Sequence, residues 1–133
     1  VGPLPKDEYL GALGTFKLED SFDITTNSFG FTVSPVQTNR VYLFNQQVAS
    51  LKAPFMKVEK IEEDLVLPPQ CFHMDFNDQG KVTELGFYTV DRQYGNTGGL
   101  GGAFGFFYGV GKPLPIREAR PFKPSFTFRI LMI

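Results

Sequence analysis

The chain has no tryptophan, one cysteine and one histidine among its 133 residues. With Cys71 as the single thiol, no disulfide can form within the chain, which points to a reducing compartment. One Cys and one His would leave a zinc site to take most of its ligands from carboxylates, so neither a metal nor another cofactor is expected. Neither sign of charge dominates: 13 Lys and Arg face 14 Asp and Glu, for a net charge of −1. That balance excludes the basic footprint of a nucleic-acid groove, and no nucleic-acid partner is expected. No run approaches the ~20 apolar residues that span a bilayer, and no secretory signal peptide is legible.

The chain does have 15 Phe, 14 Gly and 10 Pro. Hydrophobic residues make up 42% and charged residues 20%, the balance of a folded domain rather than of a disordered tail. The length fits one domain over residues 1–133, able to bury a core without staples. So many Phe rings imply an aromatic core, or aromatic surface kept for a partner.

Residues 2–5 read as an extended lead-in. Residues 6–13 predict a short helix, weakened by Gly11 and Gly14. Residues 20–23 read as a polar turn. Phe29, Phe31 and Val33 alternate with other residues as a half-buried strand stopped by Pro35, and 39–48 predicts a second strand covered on both faces. The Glu- and Lys-rich stretch 56–67 reads as a solvated ribbon. The clearest signal is a hairpin over 70–91. Phe72, Met74 and Phe76 share one face of its first strand and Cys71, His73 and Asp75 the other; Asn77-Asp78-Gln79-Gly80 makes the turn. On the return strand Leu85, Phe87, Thr89 and Asp91 share one side, and Val82, Glu84, Tyr88 and Val90 the other. A last strand is expected over 125–133. The order is a short helix followed by an antiparallel sheet: α+β, curved rather than flat.

Residues 95–111 hold eight of the 14 glycines. A phosphate loop is excluded, because Gly111-Lys112 is followed by Pro113 and the first motif glycine is replaced by Phe106. Two readings remain. One is an irregular glycine loop packed on its own sheet. The other is a helix with a bare stripe (Gly101, Gly105, Gly109) beside an aromatic one (Phe104, Phe107, Tyr108), a docking surface for another protein or the helices of a membrane complex. A proline-rich strap over 112–124 follows. His73 near a carboxylate has the makings of a general acid or base, though a polar surface ladder accounts for the same residues. Cys71 reads as a small buried thiol.

Pro68-Pro69, then Asp78-Gln79-Gly80-Lys81-Val82, then Tyr88-Thr89-Val90-Asp91-Arg92 resembles the second half of a SnoaL-like domain of the nuclear-transport-factor-two-like superfamily. The extension from Gly95 to Pro115 resembles a plastid or algal subgroup. The resemblance implies a strongly curved antiparallel sheet forming a cone behind a short N-terminal helix. It implies a chloroplast setting. In enzymatic relatives an Asp in the cone is the acid/base; the matching residue is Asp91, with His73 or Tyr88 to polarise a carbonyl. Such relatives also carry a Thr-His-Gly-Pro-like stretch, and residues 48–55 have no His. The expectation is therefore a non-catalytic binding domain that docks onto a larger protein complex, such as a photosystem-type assembly. The alternatives are a cyclase or isomerase using Asp91, and a carrier of an apolar small molecule.

Overall fold

The computed structural model describes residues 3–133; Gly2, the start of the expected lead-in, lies outside the described residues. The element order is α1 (Lys6–Phe16), α2 (Leu18–Ser21), β1 (Phe22–Val33), β2 (Arg40–Leu51), β3 (Leu65–Val66), β4 (Gln70–Phe76), β5 (Val82–Thr89), α3 (Gly102–Gly109) and α4 (Phe126–Leu131). It is an α+β arrangement with one antiparallel sheet in the order β1-β2-β4-β5, and β3 pairs with β2 on the same side as β4. The sheet is open, with β1 and β5 as its edges.

Asp7 and Glu8 complement the dipole in the first turn of α1, which runs through Gly11 and Gly14 until Lys17 turns left-handed at φ 46°. The expected turn at 20–23 is instead α2 followed directly by the first residues of β1. β1 pairs with β2 along its whole length and carries a bulge between Phe29 and Thr32. Gly30 makes that bulge at φ +70°, where a Cβ would stand 2.7 Å from the Phe44 ring. At the hairpin end Ser34 Oγ accepts the Val36 and Gln37 amides.

β3 and β4 act as one strand broken by Pro68-Pro69, since proline donates nothing to a ladder. The pairing with β2 slips by one residue across that break, from Val48 opposite Val66 to Asn45 opposite Gln70. The solvated ribbon expected over 56–67 is not formed: Met56 and Lys57 turn at positive φ, and only Leu65–Val66 joins the sheet. The hairpin over 70–91 forms as expected, with Gly80 at φ +72° in its turn.

The core lies on one face at one end of the sheet. Phe22, Ala49, Phe55, Leu65, Leu67, Phe106, Phe107 and Val110 form a single buried cluster. Its aromatic contacts are mostly edge-on: Phe22 meets Phe106 at 4.9 Å and Phe55 at 5.2 Å, and Phe107 meets Phe16 at 5.3 Å. Such pairs add about 0.5–1.5 kcal/mol each beyond burial.

The glycine segment is half turn, half helix. Asn96 binds β3 like an added strand residue, donating from Nδ2 to the Asp64 carbonyl and accepting the Val66 amide. α3 then lies across β3, ended by Gly111 at φ +80° in a Schellman closure: Gly111 donates to Tyr108 and Lys112 to Phe107. The last segment is a helix rather than the expected strand. Pro124 precedes it, Ser125 Oγ caps it by accepting the Phe128 amide, and it pairs with no sheet edge.

Candidate functional site

Strand register sorts the hairpin residues onto two faces. On one, Arg40 stands opposite Asp75, which stands opposite Glu84; in the next row Tyr42, His73 and Gly86 align. Arg40 grips Asp75 bidentately, with Nε donating to Oδ1 at 2.6 Å and Nη2 to Oδ2 at 2.9 Å, and Gln37 Nε2 donates to Oδ2 at 3.1 Å. The Arg40 hydrogen bonds hold the Asp75 carboxyl below the usual carboxylate range and push the guanidinium pKa up. Asp75 is thus committed to holding β4 against β2 and the turn before it.

His73 is only 5% exposed, and its buried Nε2 has no hydrogen-bond partner. Glu84 Oε1 stands 3.5 Å from it. The imidazole lies over Gly86, where a Cβ would stand 2.8 Å from Nδ1, and between Tyr42 and Tyr88, with ring centroids 6.3 and 6.1 Å away. The structure therefore brings His73 and Tyr88 together but not Asp91. Asp91 is exposed beyond the end of β5, where it accepts the Gln93 amide in a turn. Two clefts lie elsewhere among the described residues and neither is lined by His73: one of about 360 Å³ lies against Leu65 and Val110, and one of about 340 Å³ lies between Phe87, Tyr88, Leu100 and Phe104. Among the described residues no group of three His, Cys, Asp or Glu side chains could hold a metal ion. No helix of the described residues is long and apolar enough to cross a membrane.

The glycine stripe expected to receive a foreign helix faces this chain's own sheet. A Cβ at Gly101 would run into Gln70, one at Gly105 into the Leu100 backbone, and one at Gly109 would stand 2.6 Å from Leu65 Cδ2. Phe107 is 4% exposed and sits in the core, so it is not offered to a partner. Tyr108 packs over Gly98, and Phe104 lines the second cleft. Bare backbone lets a chain sit tightly on a neighbour, and here the neighbours are Gln70 of β4 at Gly101 and Leu65 of β3 at Gly109.

The opposite face carries what sequence reading missed. Val33, Val41, Met74 and Leu85 form one row across all four long strands, and Leu43, Phe72 and Phe87 form the next. A polar row, Ser28, Asn45, Gln70 and Thr89, separates these from the part of the face that holds the core cluster. Leu85 and Phe87 remain 41% and 44% exposed, and Val33 is more exposed still. The alternation on each strand is legible in the sequence; the rows need the register of β1 and β2, which the bulge at Gly30 obscures.

Comparison with known proteins gives no match: no family model, no curated protein and no solved structure matches this chain. What the domain does is therefore read from its two sheet faces.

Proposed function

We propose that the chain is a non-catalytic binding and assembly domain, and that its docking surface is the open apolar half of the sheet rather than the glycine segment. The observation that carries this is the pair of apolar rows ending in exposed Leu85 and Phe87. Contiguous apolar surface on a folded domain marks a place where something else binds. The polar cluster argues in the same direction: its carboxylate is tied to Arg40 by two hydrogen bonds.

We further propose that the domain is SnoaL-like, with the open sheet as a shallow form of the cone wall. The support is the resemblance carried by residues 68–124, which also makes a chloroplast multi-subunit complex the proposed partner. A second reading has its own observation. The cleft between Phe87, Leu100 and Phe104 has the size to take part of a small molecule, with Gln70, Arg92 and Glu118 beside its apolar wall.

The test is co-migration of the purified domain with detergent-solubilised plastid complexes on native gels, beside a Leu85→Glu/Phe87→Glu variant. Both side chains are substantially exposed, so the variant should fold. Co-migration of the wild type and its loss in the folded variant are expected. Equal behaviour of the two chains would sink the docking surface. Absorbance that co-purifies with the domain and is lost in a Phe104→Ser variant would instead favour the carrier.

A further inference from the structure

The open face and the C-terminal helix are two unpartnered apolar surfaces on one chain. α4 has a true N-cap at Ser125, yet none of its residues is buried, and Phe126, Phe128, Ile130 and Leu131 are each at least half exposed. A helix of six residues does not hold in water unless a surface supports it. The strap before it is fixed at Phe122, whose amide donates to the Gly98 carbonyl at 2.8 Å and whose ring lies under Arg92 at 5.0 Å. Beyond that anchor Pro124 keeps the chain extended into α4.

The size of the exposed surface says how much is left to cover. The chain exposes 9417 Å². A compact monomer of 14.9 kDa would expose about 7,000 Å². The excess, roughly 2,400 Å² over the whole chain, leaves room for the about 1,000–2,500 Å² that each partner contributes to an obligate dimer interface. A net charge of −1 sets no barrier between two copies.

We infer that the occupant of the open face is a second copy of this chain, and that each copy lays its α4 against the exposed Leu85 and Phe87 ends of the two apolar rows of the other. One chain supplies both the helix and the rows, so a two-fold axis closes the assembly with every apolar patch used twice. The inference rests on the docking reading above and puts a second copy, in place of the plastid complex, on that face.

The experiment is sedimentation equilibrium of the whole chain over a wide concentration range, joined to disulfide trapping. In a Cys71→Ser background, Phe87→Cys and Leu131→Cys are made on separate chains and then on one. The expected result is a dimer mass, a covalent dimer on mixing the two single variants, and a return to monomer in a Phe128→Ser/Leu131→Ser chain. A monomer at every concentration overturns the inference. So does a doubly substituted chain that closes its disulfide on itself, which would place α4 on its own sheet, and so does a dimer indifferent to the α4 substitutions. The docking reading is judged separately: a monomer whose co-migration still depends on Leu85 and Phe87 retains the face and rejects the second copy.

Discussion

At the scale of single residues, the molecule turns on close approaches. Phe106 is 1% exposed and meets the Phe22 ring, so Phe106→Ala opens a cavity where the sheet and α3 join. A loss of about 3–5 kcal/mol is expected, read as a lower urea midpoint. Leu85→Glu, at a row end, should cost the separated chain little by comparison, read at a concentration too low for two copies to associate, which separates core from docking surface. Asp75 gives a pH dependence. Arg40 depresses its folded pKa, so its contribution is complete above the unfolded value of about 3.9 and is lost as pH falls through the lower folded value. Urea midpoints followed from neutral to acid pH should fall less steeply for Asp75→Asn than for the wild type, from a lower starting point because Arg40 loses its partner. Equal acid limbs would show that the pair does not shape acid stability.

At the scale of elements, the same residue type has opposite consequences in two helices. A methyl group added at Gly14 in α1 would meet nothing within 4 Å, so Gly14→Ala should gain up to about 1 kcal/mol of helix propensity. Gly109 in α3 has no such room: a Cβ there would stand 2.6 Å from Leu65, which is buried in the core. There the contact outweighs propensity, because α3 must lift from β3 or Leu65 must leave its rotamer, at about 1–3 kcal/mol. Paired thermal melts check both signs; a stabilised Gly109→Ala would mean that α3 is not held on β3 by its bare stripe. The sequence announces the glycine spacing of four, but not which partner the stripe approaches. That partner is set by the Pro68-Pro69 break and the Asn96 contacts, which bring β3 under α3.

At the scale of the whole molecule, one sheet serves three surfaces. Part of one face holds the aromatic cluster, the rest of that face carries the open rows, and the opposite face carries the Arg40–Asp75 clamp beside His73. The clamp is not legible in the sequence because Arg40 and Asp75 are far apart in the chain and meet only through β2–β4 register. Cross-strand opposite charge is the signal that could find it, once the two strands are aligned. α4 escapes a sequence reading for a related reason. Phe126, Phe128 and Ile130 alternate as a strand would, but a strand needs an edge, and the cap at Ser125 offers local closure instead.

The sequence by itself determined the local elements whose cause is local: the β4–β5 hairpin with its Asn77–Gly80 turn, the faces of its strands, the first helix, and the exclusion of disulfides and of a nucleotide loop. Only the tertiary structure decided what those faces meet. It put Gly101 against Gln70 and Gly109 against Leu65, Phe107 in the core, Asp91 beyond the end of β5, and the Leu85 and Phe87 ends of two apolar rows in the open. Each of these depends on pairing between residues distant in the chain, where a one-residue slip at Gly30 or Pro68 changes the face a side chain takes, and no local pattern records such a slip.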